Sequence, residues 1–267
     1  MSYNPLLFPT LILGAIAFAV SAIMGRRVRR RLLFVVFATA LSIPGLLFVL
    51  YYTHLFDKAV WFYNFRSAHL TELTAAGLGF LPGLIYAWSE PETFLEKAVL
   101  PLLLFFMLFV PFCKPILDSL DVNKLHDSCD GEVCLQSTFS TCGPASAATL
   151  MRHFGGNGSE REFAEAAFTS RGGTEIWYLA RALRARNIDA TFLVQSPGDR
   201  TLPSPSIAGV VLDGGSGHFI VILDNSPAQI TIADPLKGKL VIPKSELMRQ
   251  YHFTGLFLVA QTRPLRV

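Results

Sequence analysis

Gln136, Cys142, His218 and Asp234, in that order along the chain, carry side chains that together supply the parts of a thiol hydrolase. A thiolate attacks a carbonyl, an imidazole moves the proton, a carboxylate orients the imidazole, and an amide donor stabilises the oxyanion. Local context supports each assignment. Cys142 is followed by Gly143 and Pro144 and then by Ala145, Ser146, Ala147 and Ala148, a small-residue run that reads as a helix. Proline suits a first helical turn, and the start of a helix favours an anion. His218 opens the run HFIVIL and Asp234 closes ITIAD ahead of Pro235. Both runs read as strands. Taken singly, these residues have ordinary explanations: a buried cysteine, a strand-edge histidine, a polar turn and a polar loop residue. Their order and the rigid elements beside them favour the catalytic combination.

Other residues carry weaker signals. Gly172-Gly173 and Trp177 are candidates to line a substrate cleft, against the plainer reading of a helix-start turn with a core aromatic. The run DGGSG ending at Gly217 suits a tight turn that lets substrate backbone approach His218. Cys129 and Cys134 flank a polar stretch that a turn would close into a small disulfide loop; two unrelated free thiols are the alternative. Cys113 lies in an apolar run and reads as inert. No second pair of Cys or His stands at zinc-ligand spacing to complete a site, and the thiol chemistry calls for no metal or organic cofactor.

The elements that must position these groups are legible in outline. Helices are expected over 142–153, 159–168 and 174–186, the second capped by Ser159 with Glu160 and Glu162 behind it. Strands are expected over 189–194, 207–212, 218–223, 229–233, 239–242 and 255–261. Helices first and strands afterwards predict an α+β domain over 136–267, with N-terminal helices packed on a mostly antiparallel sheet. Residues 119–135 read as a linker.

The rest of the chain is of another kind. Hydrophobic residues make up 51% of the 267 and charged ones only 16%, with mean hydropathy +0.42. That excess is concentrated in residues 1–118, which predict an all-α transmembrane region. Runs 6–24, 32–52 and 98–117 are long enough to span a bilayer. Residues 73–88 are ambiguous, because Gly77, Gly79, Pro82 and Gly83 weaken them as a helix. They read as a third span or as a re-entrant piece. Arg26, Arg27, Arg29, Arg30 and Arg31 follow the first run and place that loop in the cytoplasm, with residue 1 outside. No basic region precedes the first run, which argues for an anchor over a cleaved signal. Four spans put the C-terminal domain outside the cytoplasmic membrane and three put it inside. The outer face is the working expectation, supported by the disulfide candidate. The net charge of +3 gives no nucleic-acid footprint.

The segments around Gln136 to Pro144, His218 to Ile222 and Ile232 to Pro235 with Gly238 resemble the bacteriocin-processing, double-glycine leader peptidase family. So do Gly172-Gly173-Thr174 and the stretch from Asn187 to Ala190. The likeness covers roughly 130–262. It implies a papain-like fold, cleavage after a Gly-Gly pair in a leader, and the roles given above for Gln136, Cys142, His218 and Asp234. In the best-known members this domain precedes transmembrane and ATPase parts. Here it follows the membrane part, and the sequence holds no G-x-x-x-x-G-K-[ST] phosphate loop.

The reading is a membrane-anchored cysteine endopeptidase of the bacterial inner membrane, acting on a peptide or protein. Its partners would be the lipid bilayer and a separate exporter or other membrane protein. Two rivals stand beside it: a non-catalytic module that binds leader peptides for an exporter, and an acyl-transferase using the same thiol.

Overall fold

The computed structural model describes residues 3–28, 31–89, 92–196 and 201–262. In chain order the helices of the apolar half are α1 (Leu7–Gly25), α2 (Arg31–Leu50), α3 (Val60–Ser67), α4 (Phe80–Ser89), α5 (Phe94–Phe109) and α6 (Cys113–Leu117). There follow β1 (Cys129–Asp130), β2 (Val133–Cys134), α7 (Cys142–His153), α8 (Glu160–Ala166) and α9 (Ile176–Arg184). The chain closes with β3 (Ile188–Val194), β4 (Ser206–Val211), β5 (Gly217–Asn225), β6 (Ile230–Asp234), β7 (Gly238–Ile242), α10 (Lys244–Gln250) and β8 (His252–Thr262). Two compact units result. One comprises Tyr3–Asp57 and His69–Lys114; the other comprises Lys58–Ala68 and the chain from Pro115 onward.

Leu7–Gly25 and Arg31–Thr53 in the first unit, and Phe94–Leu117, which begins in it, are long and apolar enough to cross a membrane. The stretch expected to be ambiguous forms a 3-10 segment, Thr71–Gly79, running directly into α4. Its glycines are contact residues. A Cβ on Gly77 would lie 2.1 Å from the Leu41 carbonyl oxygen, one on Gly79 2.3 Å from that of Gly14, and one on Gly83 2.3 Å from that of Phe18. Backbones of α1 and α2 thus approach this segment as closely as small residues permit, which is how apolar helices associate where water gives no hydrophobic drive. The glycines that weaken the helix by propensity are the ones that let it pack. Arg29 and Arg30 lie outside the described residues.

The second unit holds a six-stranded sheet in the order β3-β8-β4-β5-β6-β7, every pairing antiparallel. All six expected strands are present, within a few residues of their expected ends. Ser159 caps α8 through a capping box with Glu162. Helix α10 had no periodic signal strong enough to announce it.

Residues 119–135 are not a linker. Val122 and Leu125 are buried with Ala164 in a small core, and the Cys134 N–H donates to Thr149 Oγ1 at 2.9 Å. The Arg161 N–H donates to Asp127 Oδ1 at 2.7 Å. Polar composition concealed how many of these side chains serve as tethers to α7 and α8.

Helix α3 belongs to the same unit, although it lies within the apolar half of the sequence. Phe62 is 1% exposed and meets Trp177 edge to face at 6.3 Å between ring centroids. Tyr63 stacks on Phe192 at 5.4 Å. The last carbonyls of α3, which a helix leaves unpaired, accept from α9: Arg181 Nη2 donates to the Arg66 oxygen at 2.5 Å and Arg184 Nη1 to the Ser67 oxygen at 3.3 Å. Phe62→Ala should therefore destabilise this unit by about 3 kcal/mol or more, whereas Phe94→Ala, at an 87% exposed position, should leave it unchanged. Thermal unfolding of the detergent-solubilised chain would measure the difference.

Candidate active site

Cys142 is the first residue of α7, and the chain reaches it through a tight turn. The Thr138 carbonyl accepts from the Thr141 N–H at 3.2 Å and from the Thr141 hydroxyl at 3.0 Å. The Thr141 hydroxyl oxygen accepts from the Thr138 N–H at 3.0 Å, and Thr141 makes no cap bond to α7. Gly143 makes the approach to the sheet possible: a Cβ there would lie 3.0 Å from Leu179 Cδ1, 3.3 Å from Thr174 Cβ and 3.4 Å from Phe219. Ser146 Oγ donates to the Phe219 carbonyl at 3.3 Å, tying α7 to β5 one residue past His218.

His218 and Asp234 stand at the ends of two alternating series, 218-220-222 on β5 and 230-232-234 on β6. Side chains two apart share a strand face, and Ile220, Ile222, Ile230 and Ile232 lie in one core cluster with Tyr251. His218 Nε2 and Asp234 Oδ1 are 2.9 Å apart, and both residues are buried. The Cys142 side chain also acts on the imidazole and favours its charged form. With Nε2 committed to Asp234, Nδ1 is the nitrogen left to face the thiol.

The electrostatics favour an ionised His218–Asp234 pair. Burial alone would lower the His218 pKa, but the hydrogen bond to Asp234 and the interactions with Cys142 outweigh it and raise the value to about 9. Burial alone would likewise raise the Asp234 pKa. Hydrogen bonds from His218, the Tyr251 hydroxyl and the Leu236 N–H instead hold it below the ordinary carboxylate range.

Tyr251 has no counterpart among the residues that sequence singled out. It is 1% exposed, and its hydroxyl donates to Asp234 Oδ2 at 2.6 Å. Burial and this bond raise its own pKa well above the ordinary tyrosine value, so it acts as a donor. Lys237 Nζ donates to the same hydroxyl at 3.3 Å. Tyr251 lies between α10 and β8, 17 residues past Asp234, and no local pattern connects the two.

The other candidates sort as follows. The Gln136 N–H donates to the Pro235 carbonyl at 2.9 Å, clipping the loop before the nucleophile to the turn after Asp234. Gln136 Nε2 donates to the Thr138 carbonyl at 2.7 Å, which uses one of its two hydrogens. Gly172 and Gly173 form a turn in which the Gly173 N–H donates to the Ser170 carbonyl at 3.1 Å. The neighbouring Arg171 carbonyl accepts from the Ser140 hydroxyl, two residues before Cys142. Trp177 must be reassigned: it is 2% exposed and packed against Phe62 and Arg66, with the Arg66 guanidinium 4.2 Å from its ring centroid. It has no face left for substrate. Gly217 is exposed at the start of β5. Cys129 and Cys134 face each other across β1 and β2 and are joined as a disulfide. Among the described residues, no group of three or more His, Cys, Asp and Glu is placed to hold a metal.

The fold is that of a papain-like α+β peptidase domain with an antiparallel sheet. The chain belongs to the Peptidase C39 family, cysteine peptidases whose model matches residues 131–264. A relative described as an uncharacterized protein of Methanothermobacter thermautotrophicus is 33% identical over 132 residues, 49% of this chain and 89% of that one. The Lactococcin-G-processing and transport ATP-binding protein LagD of Lactococcus lactis is 26% identical over 48% of this chain but only 18% of its own length. Among solved structures, a double glycine motif protease in complex with its leader peptide matches at 24% identity and TM-score 0.42, over 49% of this chain and 91% of that one. The peptidase domain of Streptococcus ComA matches at 21% identity and TM-score 0.43, over 50% of this chain and all of its own.

Replacing Tyr251 by Phe removes one donor from a buried carboxylate, a loss of about 1.5–3 kcal/mol. Because the folded Asp234 pKa is depressed, its stabilisation is present above the unfolded pKa and is lost as pH falls through the folded one. Tyr251→Phe should raise the folded value, so acid unfolding should begin at higher pH than in the wild type. Circular dichroism against pH would read the shift.

Proposed function

We propose that this chain is a membrane-anchored cysteine endopeptidase that cleaves a peptide through an acyl-Cys142 intermediate. The observation that supports it most is the buried His218–Asp234 pair, on whose imidazole the Cys142 side chain also acts. In the first half-reaction the Cys142 sulfur attacks the scissile carbonyl and the C–N bond breaks. The His218 imidazolium gives its proton to the departing amine, leaving neutral imidazole. In the second, His218 takes a proton from water, the resulting hydroxyl attacks the thioester, and the acid leaves as Cys142 sulfur recovers its electron pair. Asp234 fixes the imidazole orientation and balances its charge. The backbone N–H groups at the uncapped start of α7, with the second hydrogen of Gln136 Nε2, would receive the oxyanion.

The substrate proposed is a peptide with a double-glycine leader, by analogy with the leader-bound protease and with LagD, whose name joins processing to transport. In LagD the matching region is 18% of the protein. A separate exporter as partner is accordingly part of the proposal, as is a multi-pass place in the cytoplasmic membrane.

Incubating the purified chain with synthetic peptides carrying a Gly-Gly junction, and sizing the products, tests this reading. Cleavage should stop in Cys142→Ala, and Gln136→Ala should lower kcat by about 10²–10³. The proton donor is His218, so kcat/KM should fall as pH rises through about 9. The stability that His218 contributes should be complete below about 6.5 and disappear over the same rise. Undiminished cleavage by Cys142→Ala would overturn the assignment.

A further inference from the structure

Helix α3 constrains which side of the membrane the peptidase unit occupies. Its eight residues reach about 12 Å at 1.5 Å each, far short of the roughly 30 Å apolar layer. It buries Phe62, Tyr63, Arg66 and Ser67 within the peptidase unit. A charged guanidinium covered by Trp177, and terminal carbonyls satisfied by Arg181 and Arg184, belong to a water-facing domain and not to a lipid-embedded one. Lys58–Ala68 and the chain from Pro115 onward therefore lie on one side.

Parity does the rest. The chain between them, 69–114, must cross the bilayer an even number of times. The Phe94–Leu117 segment is long and apolar enough for one crossing, and Thr71–Ser89, which forms a fourth apolar candidate together with Val60–Ser67 across a 95° bend, must then supply another. It can: nine 3-10 residues at about 2.0 Å and ten α residues at 1.5 Å reach roughly 33 Å. Its glycines bring it into backbone contact with α1 and α2, the packing expected of a span inside a bundle. One further crossing, α2, separates α3 from the arginine-rich loop that follows α1. Such a loop stays in the cytoplasm. A separate feature agrees, since the Cys129–Cys134 disulfide belongs to an oxidising compartment.

We infer that the peptidase unit faces the extracytoplasmic side, with Thr71–Ser89 as a full fourth span, and that the substrate meets Cys142 only after crossing the membrane. This rests on the peptidase reading for the identity of the substrate but not for the topology. The step that supplies this site is then the translocation of an uncleaved peptide, and cleavage follows export.

The test is labelling with a membrane-impermeant maleimide in intact spheroplasts, using the full chain with Cys113→Ser and Cys142→Ala and the disulfide pair retained. Single cysteines would be placed at the exposed positions Arg27, Lys58, Glu92 and Asp213. Lys58→Cys and Asp213→Cys should label in intact spheroplasts, whereas Arg27→Cys and Glu92→Cys should label only after detergent. Protection of Asp213→Cys until detergent is added would overturn the inference, and labelling of Glu92→Cys in intact spheroplasts would overturn the fourth span. No arm reads catalysis, so a peptidase assay that fails leaves this result standing.

Discussion

The buried contact between His218 Nε2 and Asp234 Oδ1 is the constraint on which the rest of the peptidase unit turns. Two ionisable groups taken out of water are costly unless each finds its complement, and here the complements come from separate places. Asp234 draws on His218, the Leu236 N–H and the Tyr251 hydroxyl. His218 draws on Asp234 and on the thiol at the head of α7. Strands β5 and β6, the turn after β6, the residue that joins α10 to β8 and the head of helix α7 therefore converge on the same few polar atoms. The apolar series of β5 and β6 hold those atoms at fixed height above the sheet.

Around this centre, small residues set the distances. Gly143 lets α7 approach the Phe219 ring and Leu179, and Ser146 adds a bond to the β5 backbone. The Gln136 N–H reaches the Pro235 carbonyl, so the loop leading into the nucleophile is fastened to the turn leaving the carboxylate. A shift in either would move both.

Much of this was legible in the sequence because it is local. Cys142 before a small-residue helix, His218 and Asp234 at strand ends, the six strands, and the Ser159 cap all announce themselves within a few residues. What escaped depends on contacts between distant segments. Tyr251, at the end of α10, meets Asp234 across 17 residues of sequence. Trp177, read as a cleft residue, is covered by α3, a helix more than a hundred residues earlier and flanked by apolar spans. The 119–135 stretch looked like a linker since its tethers to α7 and α8 are single hydrogen bonds, which leave no periodic trace. The glycines of 71–89 weaken a helix by propensity, and only their neighbours show them to be packing sites.

The central claim is that Cys142 and His218 act as one thiol–imidazole pair. The most direct measurement is the rate of alkylation of Cys142 by a thiol-directed electrophile across pH, in the wild type and in His218→Ala, with Cys142→Ala as the blank. The account predicts a fast site that maps to Cys142 and slows when His218 is removed. A Cys142 that reacts no faster than an ordinary thiol and is indifferent to His218 would contradict it.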